Sequence, residues 1–340
     1  MLSGKEPMIS IILPAYNVED YIEQAVTSLL NQSYADFELI IADDGSTDKT
    51  RTIIDALSKL DSRIICSHNE SNQGKIKTAN RLYNLCRGKY LSIHDSDDIS
   101  HPQKFEKQLL FLEQNPEYAM CGTSYVIFYK NGIVVSEDLL EKDPYTLREK
   151  SKHKSQFHGP TTLFKKSVVE EIGGLFRIFK LGEDVDLSMR IAEKHLCTNL
   201  GEMLYFYRWQ PKSLTKSVES FNLDLLLKTK LLFYLREERD RNNGIDSVMK
   251  GDEKHISEMM ELWKEEYKDP SYVYRYGAAK TLGTNMFKNS IILSLKALRT
   301  KFNLENIRCL FYCIRKSIIY NTVQLFRKKK NIQDYLNKNY

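Results

Sequence analysis

Asp95-Ser96-Asp97-Asp98 follows the short apolar run Tyr90-Leu91-Ser92-Ile93 and precedes Pro102, which marks the start of a helix. Carboxylates packed this closely at a strand end repel one another. A divalent cation held by Asp95 and Asp97 would relieve that repulsion and keep coordination positions open for phosphate oxygens. The plainer reading of an isolated D-x-D is a solvated acidic turn, so its surroundings decide. Two other acidic groups stand at turns, Asp43-Asp44-Gly45-Ser46-Thr47-Asp48 and Gly182-Glu183-Asp184-Val185-Asp186. Each also has a local explanation: turn and cap chemistry for the first, and favourable charge at a helix start for the second.

The elements that must position these groups alternate along the first third of the chain. Ile9 to Leu13 reads as a buried strand ended by Pro14, and Val18, Ile22, Ala25, Val26, Leu29 and Leu30 then recur at helical spacing. Phe37 to Ala42, Arg63 to Ser67 and Lys89 to Ile93 read as further strands, separated by helices through Ile53, Ile54, Leu57 and Leu60 and from Lys75 to Cys86. This alternation predicts an α/β fold, a mostly parallel sheet with helices on both faces. Ligands gather at the carboxyl ends of the strands in such sheets. That places Pro14-Ala15-Tyr16, the Asp43-Asp44 turn and the Asp95 cluster on one rim.

Beyond about residue 118 the pattern changes. Ala119 to Tyr129 is a strand with a hairpin turn at Asn131-Gly132, and the charged stretch from Glu137 to Lys154 reads as an exposed or mobile loop. A strand at Thr161 to Phe164, a helix through Val168 to Ile172 stopped by Gly173-Gly174, and a helix opened by Glu183 follow. From about Ser220 the chain carries long helices without strand signals. A boundary near residues 212–222 divides a first domain, 1–215, from a helical extension, 216–340.

A chain of 340 residues, 42% hydrophobic and 11% aromatic, can bury a substantial core, which excludes a disordered chain. Its six cysteines form no C-x-x-C pair and have no histidines at zinc-ligand spacing, so reduced thiols in a cytosolic setting are expected. Cys309 and Cys313 share a helix face, a spacing more common in cores than in ligand sets. Met1 to Pro7 contains no apolar signal-peptide core, and no run approaches the length of a spanning helix, so a soluble or peripheral protein is expected. The net charge of +5 is uneven: residues 286–340 hold 12 Lys/Arg against 2 Asp/Glu, and residues 1–285 hold 38 against 43.

Taken together, Ser10-Ile11-Ile12-Leu13-Pro14-Ala15-Tyr16-Asn17, Asn31-Gln32-Ser33-Tyr34, the run Phe37 to Asp48, Asn72-Gln73-Gly74, the Asp95 cluster, Gly173-Gly174, Glu183-Asp184 and Tyr207-Arg208 resemble the family-2 glycosyltransferases with the GT-A fold. The resemblance covers roughly residues 8–215. It implies an inverting transfer of a sugar from a nucleotide-sugar donor, a UDP-sugar above all, to a saccharide or lipid-linked acceptor in surface polysaccharide synthesis. Pro14, Tyr16, Asp43 and Asp44 would surround the nucleobase, with Asp44 accepting from a base N–H and Tyr16 offering a stacking face. Asp95 and Asp97 would hold Mg2+ or Mn2+, with Asp95 also near the ribose and Asp98 serving its loop. Asp184 would be the general base and Glu183 would position it or bind the acceptor, with Asp186 the runner-up for the base.

Some positions depart from that pattern. Thr78-Ala79-Asn80 stands where many members have Ala-Arg-Asn, which leaves Lys75 or Lys77 to face the phosphates, although each equally suits a solvent-facing helix position. His94 replaces an apolar residue and reads as a packed histidine rather than a ligand. Arg208-Trp209 followed by Ser213 and Thr215 resembles the segment that closes over the donor diphosphate, and Trp209 is equally a sugar platform or a core residue. An oxidoreductase would need G-x-G-x-x-G where Pro14-Ala15-Tyr16-Asn17 stands, and the same loop excludes a nucleotidyltransferase. The non-enzyme alternative is a degenerate module that binds nucleotide sugar or a partner.

The tail poses its own question. Leu304, Ile307, Leu310, Phe311, Ile314, Ile318, Leu325 and Phe326 recur near helical period beside Arg308, Arg315, Lys316 and Arg327-Lys328-Lys329-Lys330. Such a stripe suits an anionic membrane surface, which would make the protein cytoplasmic and peripheral on the inner face of the cell membrane. It equally suits docking on the catalytic domain or on a second subunit of a homo-oligomer, the arrangement favoured here. The basic residues lie in no nucleic-acid module, so no nucleic-acid partner is expected.

Overall fold

The computed structural model describes residues 6–177, 182–210, 222–283, 287–325 and 330–339. Ser213, Thr215, Phe326 and Arg327 to Lys329 lie outside the described residues. The chain forms two compact units: Met1–Ile127, Glu137–Arg208 and Gln333–Tyr340 make the first, and Phe128–Ser136 with Trp209–Ile332 the second.

In the first unit, strands β1 (Ile9–Ala15), β2 (Phe37–Asp43), β3 (Ile64–His68) and β4 (Tyr90–Ile93) are parallel in the order β3-β2-β1-β4. Helices α1 (Ile22–Leu30), α2 (Thr50–Leu60) and α3 (Lys75–Tyr83) connect them. The two-residue period of a strand sends alternate side chains to opposite faces. Ile9, Ile11, Leu13, Leu39 and Ile41 therefore pack on one face with Ile22, Val26, Leu29 and Ile54. Ile12, Ile40, Leu91 and Ile93 pack on the other with Ala79, Leu82, Leu187 and Ile191. Burial on both faces is why these strands read as unbroken apolar runs.

Past β4 the sheet changes direction. The described strands continue β4-β8-β6-β9-β5, formed by β5 (Ile99–Ser100), β6 (Tyr118–Phe128), β8 (Leu163–Lys165) and β9 (Leu196–Arg208), with β7 (Val134–Asp138) pairing β6. The β4–β8, β6–β8 and β5–β9 pairs are antiparallel, so the parallel pattern holds only for the first four strands. The hairpin turn at Asn131-Gly132 forms with Gly132 at φ +81°. In place of the loop expected from Glu137 to Lys154 there is α5 (Pro144–Ser151), capped by Asp143, whose carboxylate accepts the Thr146 N–H, and anchored by buried Leu147. The thirteen-residue β9 carries no turn signal or clean alternation and was not expected.

Helices α4 (Lys104–Gln114), α6 (Ser167–Glu171) and α7 (Glu183–Lys194) complete the layers. Helix α7 begins at Gly182, left-handed at φ +85°, and three acids fill its first turn. One of them, Asp186, is consumed inside the protein. Its Oδ2 accepts from Arg177 Nε and Arg190 Nε, each at 2.8 Å, and Arg190 also donates to the carbonyls of Ile172, Gly174 and Leu175. This buried triad ties the Gly173-Gly174 turn to α7 and removes Asp186 from the choice of base.

The second unit is helical: α8 (Leu223–Arg241), α9 (Glu253–Glu266), α10 (Pro270–Gly283), α11 (Phe287–Thr300) and α12 (Leu304–Leu325). The carboxamide of Asn222 and the carboxylate of Asp252 accept N–H groups at the starts of α8 and α9. The short α13 (Gln333–Leu336) belongs to the first unit, where Tyr335 is buried near Phe206. No described helix is long and apolar enough to cross a membrane.

Neutralising Asp186 strands two buried guanidinium groups, and removing one partner of such a network costs about 3–5 kcal/mol. Asp186→Asn is expected to lower the urea midpoint of the first unit accordingly; a change under about 1 kcal/mol would contradict the structural role given to the triad.

Candidate active site

The loops after β1, β2, β3 and β4 leave the same edge of the sheet, because Ala15 is in register with Asp43, and Asp43 with His68. The first two are stitched together. Asn17 donates its N–H to Ser46 Oγ (3.0 Å) and accepts from the Thr47 N–H (2.9 Å), and Val18 N–H reaches Thr50 Oγ1 (2.8 Å). Tyr16 stands exposed beside this seam, and Pro14 is half-buried. Gly45, at φ +74°, lets the 69–74 loop approach so closely that an added Cβ would lie 2.5 Å from the Ser71 carbonyl carbon.

Asp44 organises that third loop. Its Oδ1 accepts from Asn69 Nδ2 (2.6 Å), the Gln73 N–H (2.9 Å) and Thr78 Oγ1 (2.9 Å), and its Oδ2 accepts from the Gly74 N–H (2.9 Å). A carboxylate offers about four acceptor positions. Most of Asp44 is therefore spent on its own loops, and any base contact is confined to Oδ2. Asp43 is buried and accepts the Ser46 N–H (3.2 Å), which is turn chemistry. The departure at Thr78-Ala79-Asn80 now has a local account: Thr78 bonds Asp44, and Asn80 exchanges hydrogen bonds with the Phe176 backbone.

The Asp95 loop is built on buried polar groups. His94 is fully buried; its Nδ1 lies 2.7 Å from the Asp95 carbonyl and so carries the proton, leaving Nε2 to accept from Ser100 Oγ (3.0 Å). Burial, with nearby Lys104, pushes its pKa down to about 3, so it is a neutral packing residue. Asp98 is equally buried and accepts from Tyr205 Oη and the Arg208 N–H, both at 2.7 Å. Arg208 is anchored rather than outward-facing: Nε donates to the Asp97 carbonyl (2.7 Å), Nη2 to Gln24 Oε1 (2.5 Å), and the guanidinium lies 4.9 Å from the centre of the Tyr21 ring.

Positive charge reaches this loop from α3. Lys75 Nζ lies 2.9 Å from Asp95 Oδ1 and 3.3 Å from Glu183 Oε1, so the acidic groups at 95 and 183 meet around one ammonium. Burial opposes that charge, but Asp95, Glu183 and Asp184 outweigh it and raise the Lys75 pKa well above its usual value. Burial first, then the neighbouring Asp97 and Asp95, raises the Asp98 carboxyl well above the usual range. A hard divalent cation suits this oxygen donor set, and Asp95 and Asp97 would hold it, since Asp98 serves Tyr205 and the Arg208 backbone. Lys77, by contrast, is exposed on its helix.

Asp184 lies half-buried at the start of α7, against Gly159 of the 3-10 turn Gly159–Thr161. A Cβ on Gly159 would sit 2.4 Å from Asp184 Cβ and 2.7 Å from its Oδ2, so only glycine leaves that carboxylate its place. Sequence reading missed Gly159, Tyr205 and Lys104. The Gly159-Pro160 pair was the one visible signal; nothing in local spacing links Tyr205 to Asp98. Trp209 belongs to the second unit, donating its backbone N–H to the Phe128 carbonyl (2.8 Å) and meeting Tyr129 edge-on.

Lys104 is fully buried, with Nζ donating to the Pro160 carbonyl (2.8 Å) and lying 4.7 Å and 5.1 Å from the ring centres of Phe105 and Tyr205. Burial brings its pKa down to about 7, against the opposing pull of Cys121 and Asp98. Between about pH 7 and the unfolded lysine value the unfolded chain binds a proton that the native state does not, so this group makes stability rise with pH. Lys104→Met should therefore raise the melting temperature relative to the parent more at pH 6 than at pH 9, and the reverse ordering would refute a strained buried charge.

Comparison with known proteins follows this geometry. The Glycosyl transferase family 2 profile matches residues 10–173. The O-antigen biosynthesis glycosyltransferase WbnJ of Escherichia coli is 32% identical over 220 residues, which is 63% of this chain and 84% of that protein. Residues 1–349 of S. aureus TarS in complex with UDP-GlcNAc align with a TM-score of 0.53 at 16% identity, over 94% of this chain and 93% of that one. The mannosyltransferase PcManGT of Pyrobaculum calidifontis, in complex with GDP-Man and Mn2+, aligns at 0.55 and 15% identity over 98% and 86%. Likeness at such identities speaks for the fold alone. The chain spans 65% and 52% of the length of the first two curated relatives it matches. From the matched profile, the WbnJ likeness and the shared architecture, this chain belongs to glycosyltransferase family 2, with a GT-A fold followed by a helical C-terminal region.

Proposed function

We propose that the protein transfers a sugar with inversion from a nucleoside diphosphate sugar, a UDP-sugar first among them, to a saccharide or lipid-linked acceptor in surface polysaccharide synthesis. The observation that carries this reading is the Lys75 ammonium in contact with both Asp95 and Glu183, which gathers the two acidic motifs at one point. WbnJ is named for O-antigen biosynthesis, TarS was crystallised with UDP-GlcNAc, and PcManGT with GDP-Man and Mn2+; each lends support to one part of the proposal.

Mg2+ or Mn2+, held by Asp95 and Asp97, would supply a Lewis acid that neutralises charge on the diphosphate leaving group. The rest falls to the chain. Lys75 is placed to give its charge to phosphate oxygens once a metal competes for Asp95. Tyr16 offers its exposed ring to the base, and the free acceptor position on Asp44 Oδ2 can take a base N–H. An acceptor hydroxyl has a high pKa, so a carboxylate must take its proton as it attacks from the face opposite the leaving group. Asp184 is that base, kept in place by the gap at Gly159, and Glu183 aligns it. One displacement with one base inverts the anomeric centre.

Donor hydrolysis with Mn2+ present, across UDP-, GDP- and dTDP-sugars, tests the reading. Asp184→Asn is expected to lose about 10²–10⁴-fold in rate while keeping the donor-induced thermal shift, whereas Asp97→Ala should lose both. Retained hydrolysis in both variants would remove the assignments, and donor binding without turnover by the parent would indicate a binding module. A dTDP or GDP winner would correct the donor alone.

Gly159→Ala provides a steric check on Asp184. Its added methyl must displace that carboxylate, so turnover should fall at least tenfold with donor affinity unchanged; full activity would mean that Asp184 is not held at the reacting position.

A further inference from the structure

Helix α12 leaves a row of large apolar side chains in water. Its deeply buried positions are Asn306, Cys313 and Ser317, and Ile307, Leu310 and Ile314 are half-buried, while Leu304, Phe311, Tyr312, Ile318 and Ile319 are exposed. Leu304, Phe311 and Ile318 are 69%, 68% and 61% accessible and recur every seven residues, so they line one row. Phe302, just before the helix, is more exposed still. Arg308 and Arg315, four residues beyond Leu304 and Phe311, stand exposed within the same row, with Lys316 and Glu305, the latter paired with Arg275, exposed beside it.

The inner face explains how the helix holds its place without those side chains. Ser290 Oγ of α11 lies 2.8 Å from the Ala278 carbonyl of α10 and 3.1 Å from Cys313 Sγ, and Ser294 Oγ lies 3.2 Å from the same sulfur. Asn306 donates to the carbonyls of Ala297 (3.1 Å) and Lys301 (2.6 Å) and accepts from Arg275 (2.6 Å). Side-chain hydrogen bonds among small and polar residues, with Leu293, hold the inner side, so the exposed row of large apolar residues is not needed for packing onto α10 and α11. A helix with one exposed apolar row and flanking cations meets a bilayer by lying in the plane of its interface.

We propose that this face of α12 is a membrane-docking surface, seating Leu304, Phe311, Tyr312, Ile318 and Ile319 at the upper acyl region of a bilayer rich in anionic lipid, with Arg308, Arg315 and Lys316 at the headgroup phosphates. Charge decides the occupant. A second copy packed by two-fold symmetry would bring the same three cations face to face, whereas anionic headgroups complement them. The inference stands apart from the transferase reading, although a lipid-linked acceptor would lie on the same surface.

Sedimentation of the full chain with vesicles of phosphatidylcholine alone, and of phosphatidylcholine with one quarter phosphatidylglycerol, tests it. Partitioning onto the anionic vesicles should exceed that onto neutral ones by at least tenfold. Each of Arg308→Gln and Arg315→Gln should weaken it about fivefold, and Phe311→Glu with Ile318→Glu should abolish it while far-UV circular dichroism stays unchanged. Should the double variant misfold, Phe311→Trp supplies a second readout, a blue-shifted emission on anionic vesicles that weakens in 0.5 M salt. No binding to either vesicle, binding indifferent to all these variants, or a soluble dimer that Phe311→Glu dissociates would each overturn the proposal.

Discussion

Crowded carboxylates at the carboxyl edge of one sheet set the terms for the first unit. Asp95, Asp97, Asp98, Glu183 and Asp184 stand on two segments far apart in sequence, and the fold brings Asp95 and Glu183 to one ammonium. That single lysine side chain, Lys75, offsets part of their repulsion by touching both at once. Its helix starts right after Gly74, whose N–H is fixed by Asp44. The ammonium is therefore placed by the Asp43-Asp44 turn, so the Asp95 loop and the 69–74 loop share one support.

Acids that look alike in the sequence do different work once folded. Asp186 is two residues from Asp184 yet is locked between two arginines, because the helix turns it inward toward Arg190 one turn away. Asp98, one residue from Asp97, points at Tyr205 and the Arg208 backbone. Asp43 closes its own turn while Asp44 gathers a neighbouring loop. In each case the pair differs in which way one or two backbone steps direct the side chain. Arg208, read as facing a donor, is similarly turned onto the Asp97 carbonyl and Gln24, where it stiffens the loop.

The second unit solves a different problem. Its last helices meet through Leu293 together with serine, cysteine, alanine and asparagine side chains that hydrogen-bond across the contact, and several bulky apolar groups of α12 stay on the outside. A helix stripe seen in sequence says that apolar residues share a face, and says nothing about which neighbour covers them. Here the small residues took the inner side.

The sequence by itself determined the alternating β1–β4 framework, the shared rim, the two acidic motifs and the helical character of the C-terminal region. Those features rest on local chemistry: unbroken apolar runs, cap and turn residues, and spacing along one element. Tertiary structure alone decided that the sheet turns antiparallel beyond β4, since pairing depends on strands distant in the chain such as β8 and β9. It also decided that α5 replaces an expected loop, since a helix of modest amphipathicity needed the buried seat of Leu147. Only the fold could choose Lys75 over Lys77, release Asp184 from the fate of Asp186, and clear room for it with Gly159. Each of those outcomes is a contact between residues tens of positions apart or a direction of one side chain, and neither quantity is written in residue type or spacing.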